Sequence, residues 1–252
     1  MLAALKEVGW KVVGTERTAE TAQFAAKQQG LPMVVATLEA FRPEPLFDLI
    51  IMHHVLEHLP NPMTILAQCS ALLRPGGTLV LAVPNLQSWQ FSVSGKNWFH
   101  LDVPRHLTDF TPSTISQAIN RAGLKLHAIR FMSWDQDPFG WMVSILNVLG
   151  FPQTRWLHWL ANKERQPTLV NFLMMILSPP LLALGFVLAP LSWIFGRGAC
   201  MEVRARKSCG NSIVPNTQDL RPSFFGNSGC RGWDVLVVIA DQFPQSPERQ
   251  QR

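Results

Sequence analysis

The chain has 252 residues, enough for one main domain with additions at about 150 residues per domain. Its 22 lysines and arginines against 17 aspartates and glutamates give a formal charge of +5, but no basic run alternates with aromatics, which argues against a nucleic-acid partner. Four cysteines, Cys69, Cys200, Cys209 and Cys230, lack CxxC spacing, so a disulfide framework is not expected and a reducing cytoplasm is the default.

Leu2, Leu5 and Val8 recur at helical spacing and Gly9 ends the run; Lys11–Thr15 then reads as a short strand followed by Glu16. Further strands are expected at Met33–Thr37, Phe47–Met52, Thr78–Val83 and Leu124–Phe131. Helices are expected at Glu20–Gln29, Pro62–Leu73 and Thr114–Ala122, the last ended by Gly123. The strands are apolar throughout, as in a largely parallel sheet covered on both faces.

After Phe131 the character changes. Residues 139–160 are rich in tryptophan and aliphatics, and residues 166–196 carry no charged side chain, with Pro179 and Pro180 in the middle and Pro190 near the end. "ACMEVRAR" at 199–206 alternates like an edge strand, with Met201, Val203 and Ala205 on one side. Residues 208–252 are rich in Pro, Gly, Ser and Asn apart from one apolar run, "WDVLVVIAD", and read as a poorly ordered tail.

Two stretches concentrate chemistry. "FDLIIMHHVLEHLPNP" delivers His53 and His54 to the carboxyl end of a strand, where ligands bind in open α/β sheets. Glu16, after an earlier strand, could hold ribose hydroxyls or be a solvated turn residue, with Thr18 free to cap the next helix. His54-Val55-Leu56-Glu57-His58 also satisfies the H-x-x-E-H pattern of inverted zinc peptidases. It begins at a strand end and is followed by Pro60 and Pro62, so no single helix carries it and no metal site is expected.

"FDLIIMHHVLEHLPNP" followed by "LLRPGGTLVLAVPN" resembles the central motifs of class I S-adenosylmethionine-dependent methyltransferases. The resemblance runs from about Leu2 to Phe131 and resumes at "GRGACMEVRARK". It implies an α/β, Rossmann-like methyltransferase sheet with an apolar helical insertion before the last strand. It also implies that this chain starts within the helix that follows the family's first strand and glycine-rich loop, leaving the middle of the sheet without that strand.

By the same resemblance S-adenosylmethionine is the cofactor. Glu16 falls on the ribose acid, Thr37, Leu38 and Glu39 on the adenine-framing turn, and His53 with His54 on the methionine side. "GKNWFHLDVPRHLTDFTPSTI" resembles a subgroup acting on cell-surface polysaccharide or quinone-like acceptors, which makes His100, Asp102, Arg105 and His106 the candidates for acceptor positioning or proton removal. A plainer reading of that segment is a capped loop, with Arg105 paired to Asp102 and Asp109 or Thr111 preceding a helix.

The expected organisation is a partial core over 1–135, an apolar helical insertion over 136–198, the last strand over 199–207 and the tail over 208–252. Residues 139–196 read either as a buried helical cap over the sheet or as a lipid-associated segment; if 166–196 enters lipid, it must return as a proline-broken hairpin or lie in the interface, because the strand after it has to rejoin the sheet. Lys163, Arg165, Arg197, Arg204 and Arg206 would then lie on the cytoplasmic side of the inner face of the membrane. The expected activity is methyl transfer to an oxygen or nitrogen of a small-molecule or lipid-linked acceptor. The competing expectation is an inactive, membrane-associated fragment that binds no cofactor. A nicotinamide-dependent oxidoreductase would also use Glu16, but no residues supply a hydride-transfer site.

Overall fold

The computed structural model describes residues 2–16, 18–36, 46–151, 169–208 and 234–238. The elements in chain order are α1 (Leu2–Glu7), β1 (Lys11–Glu16), α2 (Ala19–Gln29), β2 (Met33–Val35), β3 (Phe47–His53), α3 (Pro62–Leu72), β4 (Leu73–Pro84), α4 (Trp89–Ser94), α5 (Pro112–Arg121), β5 (Leu124–Arg130), α6 (Asp137–Val148), α7 (Leu169–Ile194), β6 (Cys200–Lys207) and β7 (Asp234–Val238). The strands form one seven-stranded sheet in the order β2-β1-β7-β3-β4-β6-β5. β2, β1, β7, β3 and β4 run parallel, and β6 is antiparallel to both β4 and β5.

Local chemistry sets the element ends. Thr18 caps α2 by accepting from the Thr21 N–H, and Gly30 closes the helix in the left-handed region at φ 59°. Pro62 opens α3, where its missing N–H costs nothing. Thr111 and Thr114 form a reciprocal capping box at the start of α5. Gly76, at φ 81°, turns the chain within the first residues of β4, and the pairing of β3 with β4 shifts register there, between Phe47 and Leu49.

The main core lies between one sheet face and α3 and α5. Ile50, Met52, Leu79, Leu81 and Val203 pack there against Ile65, Leu66, Ile115 and Ile119. On the other face Leu2, Val12, Leu31 and Ile51 form a smaller cluster. Leu146, Met142 and Val143 of α6 meet Met174 of α7 in a third, removed from the sheet. These strands are covered on both faces, which is why they are apolar without alternation.

Three expectations are revised. The slot in the middle of the sheet is not left without a strand: β7, from the apolar run within the segment read as a tail, pairs with β1 through Val12↔Val235 and with β3 through Ile50↔Leu236. A buried parallel slot flanked by two unpaired edges accepts an extended apolar segment from anywhere in the chain, because each backbone group it pairs would otherwise be unsatisfied. Secondly, β6 is not an edge strand, since β5 lies outside it; its alternation reflects two unequally covered faces and not its place in the sheet. Thirdly, α7 is one 26-residue helix running through Pro179, Pro180 and Pro190, so the broken hairpin, one of the two arrangements expected on lipid entry, is not formed.

Candidate active site

The carboxyl ends of β1, β7 and β3 form one rim. Thr15 and Met52 both register with Val238, so Glu16 and His53, the next residues of their strands, stand at one level on either side of β7. Two strand spacings of about 4.8 Å separate them, roughly the span of a nucleoside. Glu16 is only 1% exposed at this rim, an unusual position for a carboxylate unless polar groups meet it. Thr37, Leu38 and Glu39 lie outside the described residues.

His53 and His54 end β3 differently. His53 is exposed; His54 takes a left-handed backbone, φ 53°, and its ring meets that of His53 edge-on at 4.7 Å. Such a conformation in a residue with a Cβ is strained, and two contacts hold it. The His54 N–H donates to the Ala82 carbonyl at 2.9 Å, and Nδ1 lies 3.1 Å from Glu57 Oε1.

Glu57, in the 3-10 turn Leu56–His58, ties the segment that carries Asp102 and Arg105 to this rim. Its carbonyl accepts the N–H groups of Leu107 at 2.8 Å and Thr108 at 3.3 Å. His58 Nδ1 reaches the Arg105 carbonyl at 3.1 Å, and the His58 and His106 rings meet at 4.7 Å. In the sequence Glu57 stands out only as the acid of the H-x-x-E-H pattern. Its burial, 1% exposed, could not be read from a position between a leucine and a histidine.

The four residues expected on the acceptor side fall into two kinds. His100 is buried beside Trp98 and Phe99, with Nε2 3.0 Å from where a Cβ on Gly140 would sit. Burial first, then the nearby His54 and His106, pushes its pKa down to about 3, so it is neutral at physiological pH. Its carbonyl meets His106 Nδ1 at 2.8 Å. Asp102 and Arg105 are paired at 2.6 Å in a turn with Asp102 at φ 35°, both partly open to solvent. An exposed pair of this kind contributes at most about 1 kcal/mol. The plainer reading of the segment is therefore present as well: Arg105 does pair with Asp102, and Thr111 does cap α5.

Behind this wall lies a buried polar knot that sequence reasoning missed. Gln90 of α4 donates to the Asp137 carbonyl at 2.8 Å and accepts from Trp98 Nε1 at 3.3 Å. The Asp137 carboxylate accepts from Trp193 Nε1. Burial raises the Asp137 carboxyl to about 7, although the hydrogen bonds from Trp193 and from the Ala199 and Cys200 backbone oppose the rise. Cys69 and Cys200 are buried free thiols, and burial pushes Cys69 up to about 12; Cys209 and Cys230 lie outside the described residues.

Comparison with known proteins locates this architecture. A family model described as a methyltransferase domain matches residues 1–129. The ubiquinone biosynthesis O-methyltransferase of Maricaulis maris is 32% identical over 127 residues, 46% of this chain and 50% of that protein. The enzyme of the same name from Parvibaculum lavamentivorans is 30% identical over 139 residues, 52% of this chain and 55% of that protein. The chain thus spans about half the length of these curated relatives. The crystal structure of the [4+2]-cyclase SpnF superposes with a TM-score of 0.51 at 14% identity, covering 82% of this chain and 70% of that one, which establishes shared fold and nothing of chemistry. Because the matched half runs from α1 to β5 and includes the strands that carry Glu16 and His53, the chain belongs to the methyltransferase-domain family.

Proposed function

We propose that this protein transfers a methyl group from S-adenosylmethionine to an oxygen or nitrogen of a small-molecule or lipid-linked acceptor at a membrane surface. The observation that carries the cofactor assignment is the shared rim: a buried carboxylate, Glu16, level with His53 across one intervening strand. That spacing suits a nucleoside laid across β7, with Glu16 accepting hydrogen bonds from ribose hydroxyls and His53 with His54 flanking the amino-acid end. When bound, the cofactor supplies an electrophilic methyl on a sulfonium, and the protein's task is to align the acceptor and exclude water.

This chain's own residues fill the second role. Glu57 ties the segment carrying Asp102 and Arg105 to the rim through its carbonyl, so the acceptor side is fixed relative to the cofactor side. Arg105 orients an acceptor anion. His100, buried and neutral, is a positioning residue that holds His106 through its carbonyl.

The membrane part of the reading rests on α7. One stripe of it, Asn171, Met174, Ser178, Gly185, Ala189 and Ser192, is buried. Elsewhere Phe172, Met175, Ile176, Phe186, Val187 and Ile194 are at least half exposed. The helix is long and apolar enough to cross a bilayer, but its small-residue stripe packs on α6 and the chain returns to the sheet as β6 six residues later. A helix fixed along one side and apolar on the other suits lying in the interface.

The test is thermal unfolding and calorimetry of the full chain with S-adenosylhomocysteine. Saturation at about a hundred times Kd is expected to add about 2.7 kcal/mol, and Glu16→Gln to weaken binding at least tenfold with the fold intact. No stabilisation at millimolar ligand would overturn the reading and favour a non-catalytic, membrane-associated protein.

A further inference from the structure

Glu57, His58 and His106 each bring one ligand atom within 4.8 Å of the others. The first two come from the turn after β3 and the third from the segment before α5, so only the fold unites them. The arrangement is held from outside. His58 Nδ1 lies 3.1 Å from the Arg105 carbonyl and His106 Nδ1 lies 2.8 Å from the His100 carbonyl. A carbonyl only accepts, so both Nδ1 atoms carry the hydrogen and both lone pairs are left on Nε2. Glu57 is oriented in the same way, with Oε1 on His54 Nδ1 at 3.1 Å.

Its other oxygen, Oε2, is buried and has no hydrogen-bond partner, in a residue 1% exposed. A carboxylate oxygen shut from water and without a donor thus lies beside two imidazoles whose tautomers leave acceptor nitrogens. A cation satisfies all three at once. We propose that Glu57, His58 and His106 bind one divalent transition-metal ion of the zinc type, clipping the turn after β3 to the segment before α5 and leaving at least one coordination position open.

Two imidazole nitrogens and one carboxylate suit zinc, cobalt or nickel better than magnesium or calcium, which prefer oxygen throughout. The hydrogen bonds to the Arg105 and His100 carbonyls and to His54 are the outer contacts that orient such ligands. His54, the first residue of the H-x-x-E-H pattern, thus supports Glu57 and is not itself in the cluster; the second histidine ligand comes from 48 residues beyond the first.

The inference does not depend on methyl transfer, since its readout is metal binding alone. The full chain, stripped with chelator and dialysed, is titrated with Zn2+ by calorimetry and with Co2+ by visible absorption. One equivalent per chain is expected, with d–d bands and no thiolate charge-transfer band, because no sulfur is in the set. His106→Ala and Glu57→Gln should each weaken binding by more than the ~10–100-fold typical of outer-contact changes. His58→Ala replaces either variant whose circular dichroism departs from the parent. Substoichiometric binding, a thiolate band, or parental affinity in two folded variants would each overturn it.

Discussion

Gly185 of α7 lies against Pro138 of α6 so closely that a Cβ added to it would collide with the Pro138 carbonyl oxygen. The two helices approach there backbone to backbone, and this contact fixes α7 along the side of the domain. Gly185→Val should force them apart at a cost of about 1–3 kcal/mol, lowering the melting temperature without changing the circular dichroism of the sheet. A melting temperature equal to the parent's would mean that the helices do not meet at this point.

Asp137 predicts a pH dependence whose sign follows from its raised pKa. The native carboxyl titrates near 7 and the unfolded one near 3.9. Between these values the folded chain holds a proton the unfolded chain has lost. The contribution to stability is therefore fully present below about pH 4 and is lost as pH rises through 7, at no more than about 1.4 kcal/mol per pH unit. Asp137→Asn should flatten this slope in denaturant titrations run from about pH 5 to pH 7.5. An unchanged slope would assign it to another group.

The exposed side of α7 should carry any affinity for lipid. Each large apolar side chain buried there contributes about 1.5–3 kcal/mol. Phe172→Glu combined with Val187→Glu should therefore reduce co-sedimentation with phosphatidylglycerol-containing vesicles more than tenfold, leaving the melting temperature near the parent's because both residues are exposed. Equal recovery of parent and variant without vesicles and with them would remove the membrane part of the proposed function.

The central position of β7 is testable through its backbone. Leu236 pairs with Val13 on one side and Ile50 on the other. Proline there removes a donor and leaves a buried acceptor unpaired, at about 1–3 kcal/mol before any ring clash. Leu236→Pro should lower the melting temperature, and in the parent the amides of 235–238 should resist hydrogen exchange to the same degree as those of 49–52. Free exchange at 235–238 would place the strand outside the sheet.

The parallel sheet was legible because its strands announce themselves locally: "FDLIIM" and "TLVLAV" are predominantly apolar runs, as segments covered on both faces must be. The rim position of His53 and His54 followed from the same strand, since a ligand site at the carboxyl ends needs only the strand's direction. The capping of α5 by Thr111 and the pairing of Asp102 with Arg105 span three residues each and needed no tertiary information.

What the sequence by itself determined, then, is whatever depends on neighbours within a turn or on periodicity within an element. The tertiary structure alone decided which strand fills the middle of the sheet, because parallel pairing of β7 with β1 and β3 joins residues some two hundred positions apart and carries no local signature. It alone decided that α7 stays one helix through three prolines, held along α6 by a close approach at Gly185. It also joined His106 to Glu57 and His58, since a five-residue pattern records spacing along the chain while the cluster depends on distance in space.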